Sequence, residues 1–293
     1  MFGQVLTAMV TPMTRQGEVD YGRAWRLARY LVDHGSDGLV VAATTGEGPT
    51  LTSEEKVALF RTMVEAVGER AVVIASTGTY DTRESVELTE RAAEVGCHGV
   101  MAVTPYYSRP PQSGLLAHFR AIADASELPV IVYNIPSRTG RLIEVETLAR
   151  LSEHPRIVAT KDAVGDLEFT TRTRLSIGEG FAIYSGDDVL TLPMLAVGGT
   201  GVISVGSHLA GRQMKAMVEA ATKGDLEEAR RIHLGLAPLL AALFLETNPI
   251  PVKAALGALW EPVGEPRLPL VAAREETVRA VERALGHAQQ LEP

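Results

Sequence analysis

The 293-residue chain contains a single cysteine, Cys97, and few aromatic residues. One cysteine excludes an intrachain disulfide and gives no basis for a cysteine-ligated metal. The seven histidines show no HxxxH spacing, so we expect no metal site. No apolar run approaches the roughly 20 residues that span a membrane, and the N-terminus lacks a basic segment followed by an apolar core. We therefore expect a cytoplasmic protein that needs neither a metal nor a cofactor.

Positive charge is also scarce. The formal net charge is −8, and only five of the 28 basic residues are lysines. Proteins that bind nucleic acids or anionic membranes present a basic face, so the overall charge argues against both partners. A small anionic substrate stays compatible with the composition, because a local site can oppose the global charge.

Short apolar runs alternate with amphipathic stretches through the first three quarters of the chain. The spacing predicts eight strands, at residues 4–10, 38–43, 71–76, 99–103, 130–134, 157–161, 181–185 and 201–204. Helical patterns fall between them, as at residues 21–34, 53–67, 82–95, 112–126, 145–152 and 165–176. Eight such units predict a (β/α)8 TIM barrel over residues 1–224. A doubly wound sheet is the alternative, but the first turn, residues 11–14, lacks a dinucleotide-binding glycine pattern.

The pattern changes near residue 225. Residues 225–247, 251–260 and 271–286 have helical spacing with no strand between them. We therefore predict an all-helical C-terminal region over residues 225–293. It could cover part of the barrel or serve assembly.

Lys161 ends the β-branched strand candidate at residues 157–161. A lysine at a strand end can lose water, and desolvation favours the neutral amine that attacks carbonyl carbons. The alternative is a lysine that reaches solvent or pairs with Asp162 or Asp166. The other four lysines lie in helical stretches, where we expect a solvated face.

Other unusual residues also fall at the carboxyl ends of predicted strands, where TIM barrels carry their chemistry. The second strand ends in residues 44–47 (TTGE), whose hydroxyls either close a turn or hold a carboxylate. Tyr133 ends the fifth strand and is either a core tyrosine or a proton carrier. Arg138 follows it in a loop between Pro136 and Gly140, a setting suited to binding a carboxylate. Asp187 or Asp188 most simply caps a helix after the seventh strand.

These segments resemble the pyruvate-dependent class I aldolase superfamily and, within it, the dihydrodipicolinate synthase family. The resemblance covers essentially the whole chain and rests on residues 44–47, residues 133–140 (YNIPSRTG) and the strand-end Lys161. It implies that Lys161 forms a Schiff base with pyruvate. It further implies a proton relay formed by Tyr133, Thr44 and Tyr107. The substrate contacts that it implies come from Thr45, Arg138, Gly186 and Ile203.

The resemblance also implies substrates and assembly. Pyruvate would condense with aspartate semialdehyde on the route to diaminopimelate and lysine, with Arg138 holding the aldehyde's carboxylate. Tyr107 would reach into a neighbouring subunit's site within a homotetramer built as a dimer of dimers. An aldolase for a keto-deoxy sugar acid or a hydroxy-oxoglutarate is the alternative inside the superfamily, and a non-catalytic barrel that binds keto acids is the alternative outside it.

One departure from the family pattern concerns regulation. Lysine-inhibited members usually carry a histidine or aromatic residue at position 53, a histidine at 56 and an asparagine at 80. This chain has Ser53, Lys56 and Tyr80 at those positions, although Glu84 and Tyr106 are retained. A cationic Lys56 would repel the ammonium groups of lysine, so we expect weak or absent lysine inhibition.

Overall fold

A computed structural model describes residues 2–291. Eight parallel strands form a closed barrel in sequence order, and β1 pairs with β8 to complete it. The strands are β1 Val5–Ala8, β2 Gly38–Val41, β3 Val72–Ser76, β4 Gly99–Val103, β5 Val130–Asn134, β6 Ile157–Asp162, β7 Ala182–Ser185 and β8 Gly201–Ser204. The predicted (β/α)8 TIM barrel is confirmed.

Helices separate consecutive strands and continue after the last one. They are α1 Tyr21–Asp33, α2 Ser53–Val67, α3 Thr82–Glu94, α4 Gln112–Asp124, α5 Pro136–Thr139, α6 Val145–Ser152, α7 Leu167–Ser176, α8 Thr191–Ala196, α9 Ser207–Thr222, α10 Leu226–Ala242, α11 Ile250–Leu259 and α12 Glu275–Ala288. Within residues 2–291, none of the helices combines the length and apolar character needed to cross a membrane.

Alternate strand residues fill the barrel interior. Parallel pairing sets Leu6 of β1 beside Ile203 of β8, and Tyr133 of β5 beside Lys161 of β6. The interior residues form a small apolar cluster of their own, distinct from the larger core between the strands and the helices. A strand shifted by one residue would exchange these two faces, so burial on both sides fixes the register.

The β2–α2 connection ends in a strong helix start. Thr52 accepts a hydrogen bond from the Glu55 backbone N–H at 3.2 Å, and the Glu55 carboxylate accepts from the Thr52 N–H at 2.9 Å. This reciprocal capping box satisfies two backbone donors that the first helical turn leaves unpaired. It anchors the far end of the connection that carries Thr44 and Thr45.

The C-terminal helices are packed onto the barrel. Helix α10 packs against α9 and α12, and α11 contacts α9 and α12.

The expectation of solvated lysines is wrong at two positions, because Lys56 and Lys253 are only 7% and 3% exposed. Helical spacing alone did not show that α2 and α11 turn these side chains inward.

Candidate active site

Lys161 and Tyr133 lie side by side at the carboxyl ends of β6 and β5. The Lys161 Nζ is 4.4 Å from the centre of the Tyr133 ring, and both residues are 4% exposed. Burial lowers the pKa of Lys161 to about 8 and raises the pKa of Tyr133 to about 12. At neutral pH roughly one Lys161 in ten is then a free amine, compared with about one in 2,500 for an ordinary lysine.

Lys161 is not held in an ion pair. Among the described residues, no carboxylate oxygen comes within salt-bridge distance of its Nζ. Asp162 instead accepts hydrogen bonds from the Thr170 hydroxyl and the Val164 N–H, and Asp166 caps α7. The ion-pair alternative for Lys161 is therefore wrong, and the amine stays available to a carbonyl carbon.

Besides burial, two charged groups shift the pKa of Lys161. The buried carboxylate of Asp188 raises the pKa of Lys161, and the Arg138 guanidinium lowers it. Asp188 follows β7 and accepts hydrogen bonds from the backbone N–H groups of Val205 and Gly206, at 3.0 and 2.8 Å. Its other carboxylate oxygen is buried without a partner. The expected helix-cap role is wrong for both Asp187 and Asp188, because α8 begins only at Thr191 and its N-cap residue is Leu190.

A cavity of about 240 Å³ lies on the Tyr133 side of the site and is lined by Thr44, Tyr133 and Arg138 among others. The Arg138 guanidinium and the nearby Thr44 side chain both lower the pKa of Tyr133, against the larger effect of burial. Thr45 is buried and its hydroxyl oxygen accepts a hydrogen bond from the Asn248 amide at 2.9 Å. The predicted hydroxyl pair and arginine therefore do meet at the rim that carries Lys161.

Gly186 and Ile203 complete the surroundings of the lysine. A Cβ added to Gly186 would lie 2.7 Å from Ala163 Cβ and 3.1 Å from Lys161 Cε, so any larger residue would crowd the amine. Ile203 is 1% exposed and belongs to the interior cluster that contains Tyr133 and Tyr184. Gly186 therefore lies against the Lys161 side chain, and Ile203 lies in the barrel interior.

Tyr107 is not brought into this group. Its side chain is 95% exposed, and its backbone has a φ of +68°, in the left-handed region that non-glycine residues rarely adopt. The chain thus presents the ring outward on the β4–α4 connection.

Sequence reasoning assigned none of three nearby residues to the site: it interpreted Asp188 as a helix cap and Lys253 as solvated, and it did not single out Asn248. Asn248 and Lys253 come from the C-terminal region, more than 200 residues from the loop they contact. A signal was present in residues 248–251 (NPIP), where an asparagine sits in a proline-constrained segment before a helix. Over residues 2–291, no three histidine, cysteine or acidic side chains are grouped as metal ligands.

The closed barrel and its strand-end amine define a class of protein. A desolvated lysine beside a tyrosine, at the rim where TIM barrels carry their chemistry, is the arrangement of lysine-dependent, Schiff-base-forming barrels. The chain belongs to the Dihydrodipicolinate synthetase family, whose sequence profile matches residues 1–288. The family predicted from the sequence motifs is confirmed.

Relatives support this assignment over the full length. A 4-hydroxy-tetrahydrodipicolinate synthase of Moorella thermoacetica is 55% identical over 284 residues, 97% of each chain. One from Desulforudis audaxviator is 52% identical over 290 residues, 99% of each chain. The crystal structure of DHDPS from Cyanidioschyzon merolae with lysine bound superposes with a TM-score of 0.97 at 47% identity, over 99% of each chain.

Proposed function

We propose that this chain is a lyase that condenses pyruvate with L-aspartate 4-semialdehyde to 4-hydroxy-tetrahydrodipicolinate, in diaminopimelate and lysine biosynthesis. The observation that carries the proposal is the buried Lys161 amine, whose pKa is lowered to about 8 beside Tyr133. Full-length relatives at 52–55% identity carry this synthase name. The cytoplasm remains our prediction for its location.

The amine of Lys161 attacks the ketone carbon of pyruvate, and water leaves as the imine forms. The imine withdraws electrons, so the pyruvate methyl group loses a proton and becomes an enamine. The enamine carbon then bonds to the aldehyde carbon of the semialdehyde. The amino group of the adduct displaces Lys161 as the ring closes, which restores the free amine.

Thr44 and Thr45 are placed to hold the carboxylate of pyruvate with hydroxyl and backbone N–H groups. Tyr133 carries protons to and from the carbinolamine, and its contact with Thr44 supplies the next step of a relay. Gly186 and Ile203 offer main-chain contacts beside the lysine. Arg138 lines the same cavity and suits the carboxylate of the semialdehyde, which favours this acceptor over a sugar-derived aldehyde.

Assembly belongs to the same proposal. Tyr107 is 95% exposed on its own chain, where it cannot contact the Thr44 and Tyr133 pair. We assign it to the relay of a neighbouring subunit across a tight dimer, within a homotetramer. An outward tyrosine held in a left-handed backbone conformation fits a residue built for a partner.

We further propose weak lysine inhibition, although the Cyanidioschyzon merolae relative was crystallised with lysine bound. Lys56 lines the cavity that also contains Thr44 and Tyr106. The Glu84 carboxylate raises the pKa of Lys56 against the larger lowering by burial. The Lys56 ammonium thus lies near the Glu84 carboxylate, the group that would otherwise pair with the ammonium of a bound lysine. The Tyr80 ring packs edge-on against Tyr106 at 5.3 Å.

The test is borohydride reduction with pyruvate, followed by mass mapping of the adduct. We expect pyruvate to be trapped on Lys161, and Lys161→Met to abolish both the adduct and turnover. Lys223→Met, at a lysine whose side chain is 74% exposed, is the matched control and should keep both. A coupled assay with aspartate semialdehyde then separates this synthase from other pyruvate aldolases. An unlabelled Lys161 would refute the mechanism, and an adduct without condensation would refute the acceptor.

A further inference from the structure

The C-terminal region reaches into the substrate site at Asn248, a residue just before α11. Asn248 is 6% exposed, and its side-chain N–H donates to the Thr45 hydroxyl oxygen at 2.9 Å. Its backbone carbonyl accepts from an Arg138 N–H at 3.4 Å. Asn248 therefore contacts Thr45, which the proposed function assigns to the pyruvate carboxylate, and Arg138, which it assigns to the carboxylate of the semialdehyde.

The direction of the Asn248–Thr45 hydrogen bond matters for binding. A hydroxyl has one proton to donate and two lone pairs to accept with. Because the Thr45 oxygen accepts from Asn248, its own proton is left for another acceptor. An incoming carboxylate is such an acceptor, and a hydrogen bond to a charged group is worth more than a neutral one.

A buried ion pair holds Asn248 in place. The Lys253 Nζ lies 2.6 Å from a Glu47 carboxylate oxygen, and both side chains are at most 2% exposed. The same ammonium donates to the backbone carbonyls of Thr11 and Glu265, at 3.1 and 3.2 Å. All three of its protons are therefore used, and Asn248 lies five residues ahead of this anchor.

The loop on the other side of the pair is equally constrained. Glu47 has a φ of +58°, and its second carboxylate oxygen accepts from the Arg267 N–H at 2.7 Å. A non-glycine residue in the left-handed region costs free energy and persists only where neighbours hold it. Buried ion pairs add little net stability but fix geometry when fully hydrogen-bonded. Here the fixed geometry is that of the Thr44–Thr45 loop.

We propose that Asn248 is a positioning residue for the pyruvate carboxylate. Its side chain fixes the Thr45 hydroxyl as a donor to substrate, and the Lys253–Glu47 pair fixes Asn248. The proposal rests on the proposed function, since it assumes that Thr45 binds pyruvate. It predicts that the side chain of Asn248 matters for pyruvate, whereas its backbone contact with Arg138 survives any substitution.

Two variants test this inference. Asn248→Ala removes the donor, and we expect the KM for pyruvate to rise about 5- to 10-fold, with the KM for aspartate semialdehyde within about twofold of the parent. Asn248→Asp keeps the shape but turns the donor into an acceptor that takes the Thr45 proton. We expect a larger rise, at least about 20-fold, for this variant. Gln213→Ala removes another side-chain amide, one that contacts Leu291, and serves as the control.

Borohydride trapping with pyruvate alone gives a second readout that needs no aldehyde. The half-saturating pyruvate concentration should rise in the order parent, Asn248→Ala, Asn248→Asp, while thermal unfolding shows that each variant is folded. A parental half-saturation in Asn248→Asp, or equal rises in both KM values, would overturn the inference. Absence of any adduct in the parent would instead overturn the proposed function.

Discussion

Tyr133 and Lys161 are direct partners in the parallel pairing of β5 with β6, and the Lys161 Nζ lies 4.4 Å from the centre of the Tyr133 ring. Backbone register therefore sets the distance between the amine and the phenol. Neighbouring strands are about 4.8 Å apart, so adjacent side chains on one face meet without any loop. Strand pairing, and not a loop, therefore places the amine beside the phenol.

The first prediction concerns Tyr107. Tyr107→Phe should lower kcat by at least about tenfold, since it removes a hydroxyl from the proton relay. The thermal unfolding midpoint should stay near that of the parent, because the side chain is 95% exposed in its own chain. Tyr80→Phe, at another exposed tyrosine, is the control. Turnover near the parental value in Tyr107→Phe would contradict a shared site.

The second prediction concerns the pH dependence of imine formation. Only the free amine of Lys161 attacks pyruvate, so the rate of adduct formation should rise with pH and level off above about 8. The Asp188 carboxylate raises the pKa of Lys161, so removing its charge should lower that pKa. In Asp188→Asn the midpoint should therefore move to lower pH, while an oxygen remains to accept from Val205 and Gly206. Borohydride trapping across the pH range measures the midpoint. An unmoved midpoint would show that the Asp188 carboxylate does not raise the pKa of Lys161.

The third prediction concerns stability. Lys253→Met leaves Glu47 buried without its partner and should reduce the free energy of unfolding by about 3–5 kcal/mol. The double variant Lys253→Met with Glu47→Gln removes the unpaired charge and should recover part of the loss. Lys223→Met breaks only an exposed contact with Glu219 and should cost less than about 1 kcal/mol.

Urea unfolding at neutral pH measures all three variants. Equal losses in Lys253→Met and Lys223→Met would show that burial of the pair has no energetic consequence. A double variant less stable than Lys253→Met would show that the Glu47 carboxylate is still satisfied by its other contact, the Arg267 N–H.

The fourth prediction concerns lysine. The parent enzyme should keep most of its activity at lysine concentrations that inhibit sensitive members of the family. Lys56→His combined with Tyr80→Asn should increase sensitivity, because Glu84 is then free to meet a ligand ammonium. A lysine titration of both proteins at subsaturating pyruvate measures this difference. Strong inhibition of the parent at low lysine would contradict the expectation.

The sequence was most informative where one residue and its immediate context carried the signal. Lys161 stood out because a charged residue ended a short β-branched strand, and eight such strands implied closure into a barrel. Closure brings the strand ends onto one rim, so the sequence alone predicts that Thr44, Tyr133 and Arg138 lie together.

The contacts of the C-terminal helices could not be predicted from the sequence in the same way. Barrel topology fixes the strands but not where a following helix docks, so nothing in the sequence pairs Asn248 with Thr45 across 203 positions. Lys253 and Lys56 have the spacing of surface residues, and only packing shows that they point inward. Asp188 was predicted to cap a helix because it precedes a helical stretch. Its actual partners, the N–H groups of Val205 and Gly206, lie beyond the next strand, where the local sequence gives no sign of them.

Glu47 and Lys253 are 206 positions apart in the chain. This separation determines which of the two is synthesised first. A ribosome makes the loop with Thr44 and Thr45 early, whereas its anchor emerges only after all eight strands have been translated. On this ordering, Lys161 is synthesised before Asn248 and Lys253, the two residues that hold the Thr44–Thr45 loop in place.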